Sequence, residues 1–179
     1  MINEFFSHAK PTNAKAKRLF ITLLAIGALI TVGYAAADRF KGIIGLFALG
    51  AIVGAVFIYT KYIGVEYFYD ITFDSAGSPV FVVRQMSGKR QTTLCRLDLH
   101  SIVKVEMLDA KARASHKAPA GYKRYFYLPT LSPESVILIT AHSESEFAEI
   151  TIEASEEFAD LLRAYSKEAR ERRFDNEEY

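Results

Sequence analysis

Two runs of nineteen residues, 19–37 and 42–60, contain no Asp, Glu, Lys, Arg or His, and only Asp38-Arg39-Phe40-Lys41 separates them. As helices rising about 1.5 Å per residue, each would be roughly 28 Å long, close to the ~30 Å hydrocarbon core of a bilayer. Four residues cannot form a domain, so the pattern predicts a transmembrane helical hairpin over 19–60 whose two ends emerge on one side. Everything else in the chain has to be built onto those ends.

Residues 1–18 form a basic segment, with Lys10, Lys15, Lys17 and Arg18 against Glu4. By the positive-inside rule this end stays in the cytoplasm, against the weaker pull of Arg39 and Lys41, and Lys61 adds to the inner side. The expected location is the cell membrane, with two spans and both termini cytoplasmic. The first run closes on Tyr34-Ala-Ala-Ala37, a pattern also found at secretory cleavage sites. The run exceeds the usual signal-peptide core and leads at once into a second apolar run, which favours an uncleaved span.

Small residues recur along both runs: Gly42, Gly50 and Gly54 on the second, Gly27 and Thr31 on the first. Such residues let helix backbones approach closely in lipid, so the two spans are expected to pack on each other, with contact between two copies as the second use of the same stripe. Because neither run holds an ionisable group, a proton or ion pathway is not expected.

After Lys61 the apolar pattern changes to alternation. Val65, Tyr67, Tyr69, Ile71 and Phe73 share one face of a strand, and Glu66, Asp70, Thr72 and Asp74 the other. A turn at 75–79 and a tight turn at Ser87-Gly88-Lys89 separate further β-rich runs at 80–85 and 90–97. Val103, Val105 and Met107 alternate with Lys104 and Glu106, and runs at 124–128, 136–140 and 148–153 follow a long loop. Then Ser155, Glu156 and Glu157 open a helix with Phe158, Leu161, Leu162, Tyr165 and Ala169 on one stripe. The expected α+β domain spans 62–174, with 175–179 as a disordered tail.

Seven strands and a closing helix follow the element order of the pleckstrin-homology-like (PH-like) bent sheet or barrel. The layout resembles small two-span membrane proteins of Gram-positive, clostridium-like bacteria in which a PH-like domain follows the spans. Val65-Glu66-Tyr67-Phe68-Tyr69, Gly88-Lys89-Arg90, and Leu97-Asp98-Leu99 followed by Ile102 carry the resemblance. It implies a membrane-anchored cytoplasmic domain and assigns no activity.

The net charge is +1, so no chain-wide field points to nucleic acid, and the single cysteine, Cys95, forms no internal disulfide. His8, His100, His116 and His142 lie in four separate segments without helical ligand spacing. No nucleophile elbow, phosphate loop or dinucleotide fingerprint occurs. No metal, cofactor or catalytic residue is therefore expected, and the chain reads as an interaction or regulatory module rather than an enzyme.

Its clearest local charge is the loop 110–124, where Lys111, Arg113, Lys117, Lys123 and Arg124 meet no acid. With Lys89, Arg90, Lys15, Lys17 and Arg18 they are the candidate contacts for anionic lipid or for a protein partner. Specific inositide recognition is not expected, since the first hairpin turn, 74–79, lacks basic residues. The competing reading is an accessory subunit docked to a larger membrane complex through its spans.

Overall fold

In the computed structural model, which describes residues 5–9, 13–36, 41–143 and 146–177, both apolar runs are helices long and apolar enough to cross a membrane. Helix α1 covers Ala14–Ala36, so it takes in Lys15, Lys17 and Arg18 ahead of the apolar run. Helix α2 covers Lys41–Ile58 and continues into a π-helical turn, Tyr59–Ile63. The turn at 38–40 and the Ala37-Asp38 junction lie outside the described residues, as do Lys10 and 178–179.

The two helices pack directly on each other. A Cβ added to Gly27 would sit 3.7 Å from the Cβ of Ala51, and one added to Gly54 would sit 3.5 Å from Leu23. These are positions where the missing side chain brings the helices together. Gly42 and Gly50 are exposed, with nothing within 4 Å of the added atom, so the expected stripe divides between two faces of α2. Thr31 returns its hydroxyl to Gly27 O in its own helix at 2.8 Å, and its side chain is exposed. At the open end, buried Asn13 donates from Nδ2 to Tyr62 O at 2.5 Å, joining the start of α1 to the end of α2.

The β domain contains a strand that the alternation did not reveal. β1, Phe5–Ala9, precedes the helices in sequence and pairs antiparallel with β2, Glu66–Phe73, which follows them. Part of the expected basic N-terminal segment is thus sheet. Strands β3 (Pro79–Ser87) and β4 (Arg90–Asp98) complete a first sheet in the order β1-β2-β3-β4. Its turns are locally encoded. Asp74 Oδ1 accepts from the backbone of Ala76 and Ser78, and Gly88 has φ 60 at the first of two loop residues, the pattern of a type II′ hairpin.

The second sheet has the order β5-β7-β8-β6, from Ile102–Asp109, Ser135–Ser143, Glu146–Ile152 and Lys123–Tyr127. β6 does not lie between its sequence neighbours; it pairs parallel with β8 at the far edge. A register shift between Ile102 and Lys104 makes Val103 the extra residue of a bulge, so it is 57% exposed while Ile102 and Val105 turn inward. The expected alternation from Val103 is corrected by that one residue.

The core lies between these sheets and helix α4, Glu156–Glu177. Tyr69, Ile71, Phe81 and Val83 supply the inner face of the first sheet, and Ile137, Ile139, Ile150 and Ile152 that of the second. Ser155 Oγ caps α4 by accepting from Phe158 N at 3.3 Å. Phe158, Ala159, Leu162 and Ser166 are buried on this helix, with Leu161 only half-buried. The helix runs through Glu177, three residues into the expected tail.

Polar groups also tie the layers. Tyr69 Oη donates to Tyr127 O at 2.6 Å and accepts from Glu153 N at 3.5 Å, joining β2 to β6 and to the end of β8. Asp70, expected on the solvent face, is buried and meets Arg84 Nε at 2.7 Å. The register explains the pair: Asp70 lies opposite Val82, so Arg84 is the diagonal neighbour on the same face.

Two outcomes follow from this core. Leu162→Asp places an unpaired charge at a fully buried site and should cost the full-length chain in detergent several kcal/mol, about 3 or more, in denaturant titration. Glu168→Gln removes only an exposed pair with Arg172 and should cost about 0.5 kcal/mol or less. The tyrosines set an alkaline limit. Burial raises the Tyr69 phenol and pushes Tyr127 up to about 12, whereas both ionise near 10 when unfolded. The folded state therefore holds more tyrosine protons above pH 10, so the tyrosines' contribution to stability should be level below pH 10 and fall between 10 and 12. Tyr127→Phe should flatten part of that decline, and an unchanged slope would contradict this origin.

Candidate functional site

β5 and β6 occupy opposite edges of the second sheet, so the chain between them has to cross β7 and β8. Asp109 starts the crossing, its Oδ1 accepting from Ala112 N at 2.6 Å to cap the short helix α3, Ala110–Ser115. Helix α3 packs on β5 and β7. The remaining residues reach β6 through a turn at Gly121, whose φ of 87 suits glycine. The basic loop is thus a strap laid over the sheet's outer face.

One buried carboxylate pins the strap. Glu149 alternates with Ile150 and Ile152 on β8 and so points to the outer face, yet its side chain is only 4% exposed. Its oxygens lie 3.0 and 3.2 Å from His116 Nε2, and Arg124 Nε stands 3.8 Å away. Beside this group Phe147 stacks with His142 at 4.2 Å and with Tyr122 at 5.1 Å. A strap anchored by one hydrogen-bonded histidine and one ring stack leaves its outward side free to make contacts.

The ten candidate cations are not brought into one cluster. Lys123 pairs with Glu146 at 2.5 Å, a bond that raises the lysine pKa, and Arg124 faces Glu149. β8 therefore supplies two acids to a loop that has none of its own. Lys111, Arg113 and Lys117 make no ion pair among the described residues, and the first and last are fully on the surface. Lys89 and Arg90 are exposed at the β3–β4 hairpin, and Lys15, Lys17 and Arg18 are exposed on α1.

β6 itself is an edge strand with exposed rings on both faces. Tyr125 is 38% and Phe126 48% exposed; Tyr125 stacks on Tyr127, and the Arg124 guanidinium lies 5.0 Å from the centre of Phe126. Cys95 is half-buried on β4, where burial pushes its thiol pKa up. Among the described residues, no group of three His, Cys, Asp or Glu side chains is placed to hold a metal ion.

Sequence reasoning missed Glu149 and His116 because each looked ordinary alone. Glu149 lies on the strand face opposite Ile150 and Ile152, and the crossing of the strap is what buries it. No family model, curated protein or solved structure matches this chain.

The pin can be measured by a double-mutant cycle. His116→Ala leaves a buried carboxylate with one distant partner and should cost about 1–3 kcal/mol. Adding Glu149→Gln should cost less than the sum of the single changes, with a coupling of about 0.5 kcal/mol or more in denaturant titration. Strict additivity would mean that the pair does not hold the strap.

Proposed function

We propose that this chain is a two-span protein of the cell membrane whose β domain is a non-catalytic interaction module held at the cytoplasmic face. The observation that carries this reading is the β1–β2 ladder, which joins the chain before the helical pair to the chain after it within one sheet. One domain cannot be divided across a bilayer, so both ends of the hairpin belong on one side.

The helices support membrane insertion. Leu29, Val32, Leu46, Phe47 and Ile21 are each more than 60% exposed, an apolar surface that water does not favour and lipid does. Tyr59, Lys61 and Tyr62 at the end of α2 are the residue types that anchor a span at the interface, and the Lys61 ammonium lies over the Phe57 and Tyr62 rings. The cations of α1 favour a cytoplasmic domain.

PH-like architecture is part of the proposal. An antiparallel meander β1-β2-β3-β4, three antiparallel strands β5, β7 and β8, and a C-terminal helix follow that order, with β6 added at an edge. Membership of the clostridium-like two-span family rests on the same residues that carry the resemblance. A second reading, an accessory subunit docked through its spans, draws on exposed Gly42 and Gly50 on the face of α2 away from its contact with α1.

Topology tests the proposal. In a Cys95→Ser background, single cysteines at Asn3 and Asn176 should both resist an impermeant thiol reagent in intact cells and both react after lysis. Labelling of either one in intact cells overturns the cytoplasmic placement, and release of the chain by alkaline carbonate overturns the spans.

A further inference from the structure

We infer that the start of α1 holds the headgroup of one anionic phospholipid, whose phosphate carries a hydroxyl-bearing group such as glycerol. This rests on the membrane reading of the helical pair and names a ligand for it.

The helix cap comes first. Asn13 O accepts from Lys17 N at 2.8 Å, the first bond of α1, so Asn13 stands at the N-cap. Asparagine there commonly turns its side-chain oxygen onto the free N–H groups of the first turn. Here the amide is committed elsewhere, its nitrogen donating to Tyr62 O. The N–H groups of Ala14, Lys15 and Ala16 therefore have no capping side chain among the described residues. Asn13 Oδ1 is itself buried without a hydrogen-bond partner, in a residue only 8% exposed. The cap thus offers donors to an anion and leaves one acceptor in need of a donor.

Charge and depth decide the ligand. Lys15, Lys17 and Arg18 are exposed at the start of α1, and no acid stands in the first turn. Cations at this pole of a helix are repelled by its dipole as well as by one another, so a bound anion relieves both repulsions. Lys61 adds a fourth charge, next to the residue whose carbonyl Asn13 holds. The apolar run begins at Leu19, roughly 7 Å along the helix from Ala14, which puts the cap at headgroup level in a spanning hairpin. A phosphodiester supplies the anion at that depth, and a hydroxyl on its substituent supplies the donor for Oδ1. Phosphatidylcholine carries neither a net charge nor such a donor.

The test uses the full chain in dodecylmaltoside, titrated with phosphatidylglycerol, phosphatidylmethanol or phosphatidylcholine, with retained lipid counted by native mass spectrometry. Phosphatidylmethanol has the same phosphodiester charge and no hydroxyl, so it isolates the bond to Oδ1 and leaves the protein unaltered. One phosphatidylglycerol should be retained per chain, about fivefold more tightly than phosphatidylmethanol and more than about tenfold more tightly than phosphatidylcholine. Lys15→Gln combined with Lys17→Gln should weaken retention of both anionic lipids about tenfold at an unchanged thermal midpoint, since both side chains are exposed. Equal retention of phosphatidylglycerol and phosphatidylmethanol, or retention indifferent to the two lysines, overturns the inference. Displacement of the lipid by millimolar inorganic phosphate overturns it too, by assigning the cap to a soluble anion. Alkaline carbonate reads insertion whether or not lipid is retained, so loss of this site and loss of the membrane reading are told apart.

Discussion

The backbone ladder between β1 and β2 is the interaction on which the rest of the architecture depends. Two strands separated in sequence by both long helices pair residue by residue, from Phe5 with Ile71 to Ala9 with Tyr67. The helical pair is therefore an insertion in a strand connection rather than an appendage on a finished domain. Asn13 serves the same end from within the hairpin, tying the start of α1 to Tyr62. Closing so long a loop costs entropy that grows only slowly with its length, and the mutual packing of α1 and α2 shortens the effective gap.

Buried polar groups then select particular neighbours within the β domain. Hydrophobic burial is largely non-directional, so apolar faces built from Ile, Val and Phe would tolerate several arrangements. The Tyr69 hydroxyl, the Asp70–Arg84 pair and the Glu149–His116 pair each demand a particular neighbour. Leaving one unpaired would cost about 1–3 kcal/mol, a sizeable share of a marginal stability.

Crossing the strap over the second sheet also decides which surface is available. It covers the face on which Glu149 lies, directs Lys111 and Lys117 to solvent and delivers β6 to an open edge. The strap does so because the strands it connects lie at opposite edges of the sheet.

What the chain's own residues determined is local. Uninterrupted apolar composition specifies α1 and α2, Asp74 and Gly88 specify their turns, and Ser155 with Glu156 and Glu157 specifies the start of α4. Each depends on neighbours within a few positions, so sequence alone could read it. Tertiary structure decided the pairing of β1, the displacement of β6 to an edge, the bulge at Val103 and the burial of Asp70 and Glu149. Periodicity tells which residues share a face; it carries no information about what covers that face. A five-residue strand takes its stability from a partner remote in sequence, and a carboxylate becomes a structural pin only when a distant histidine is laid across it.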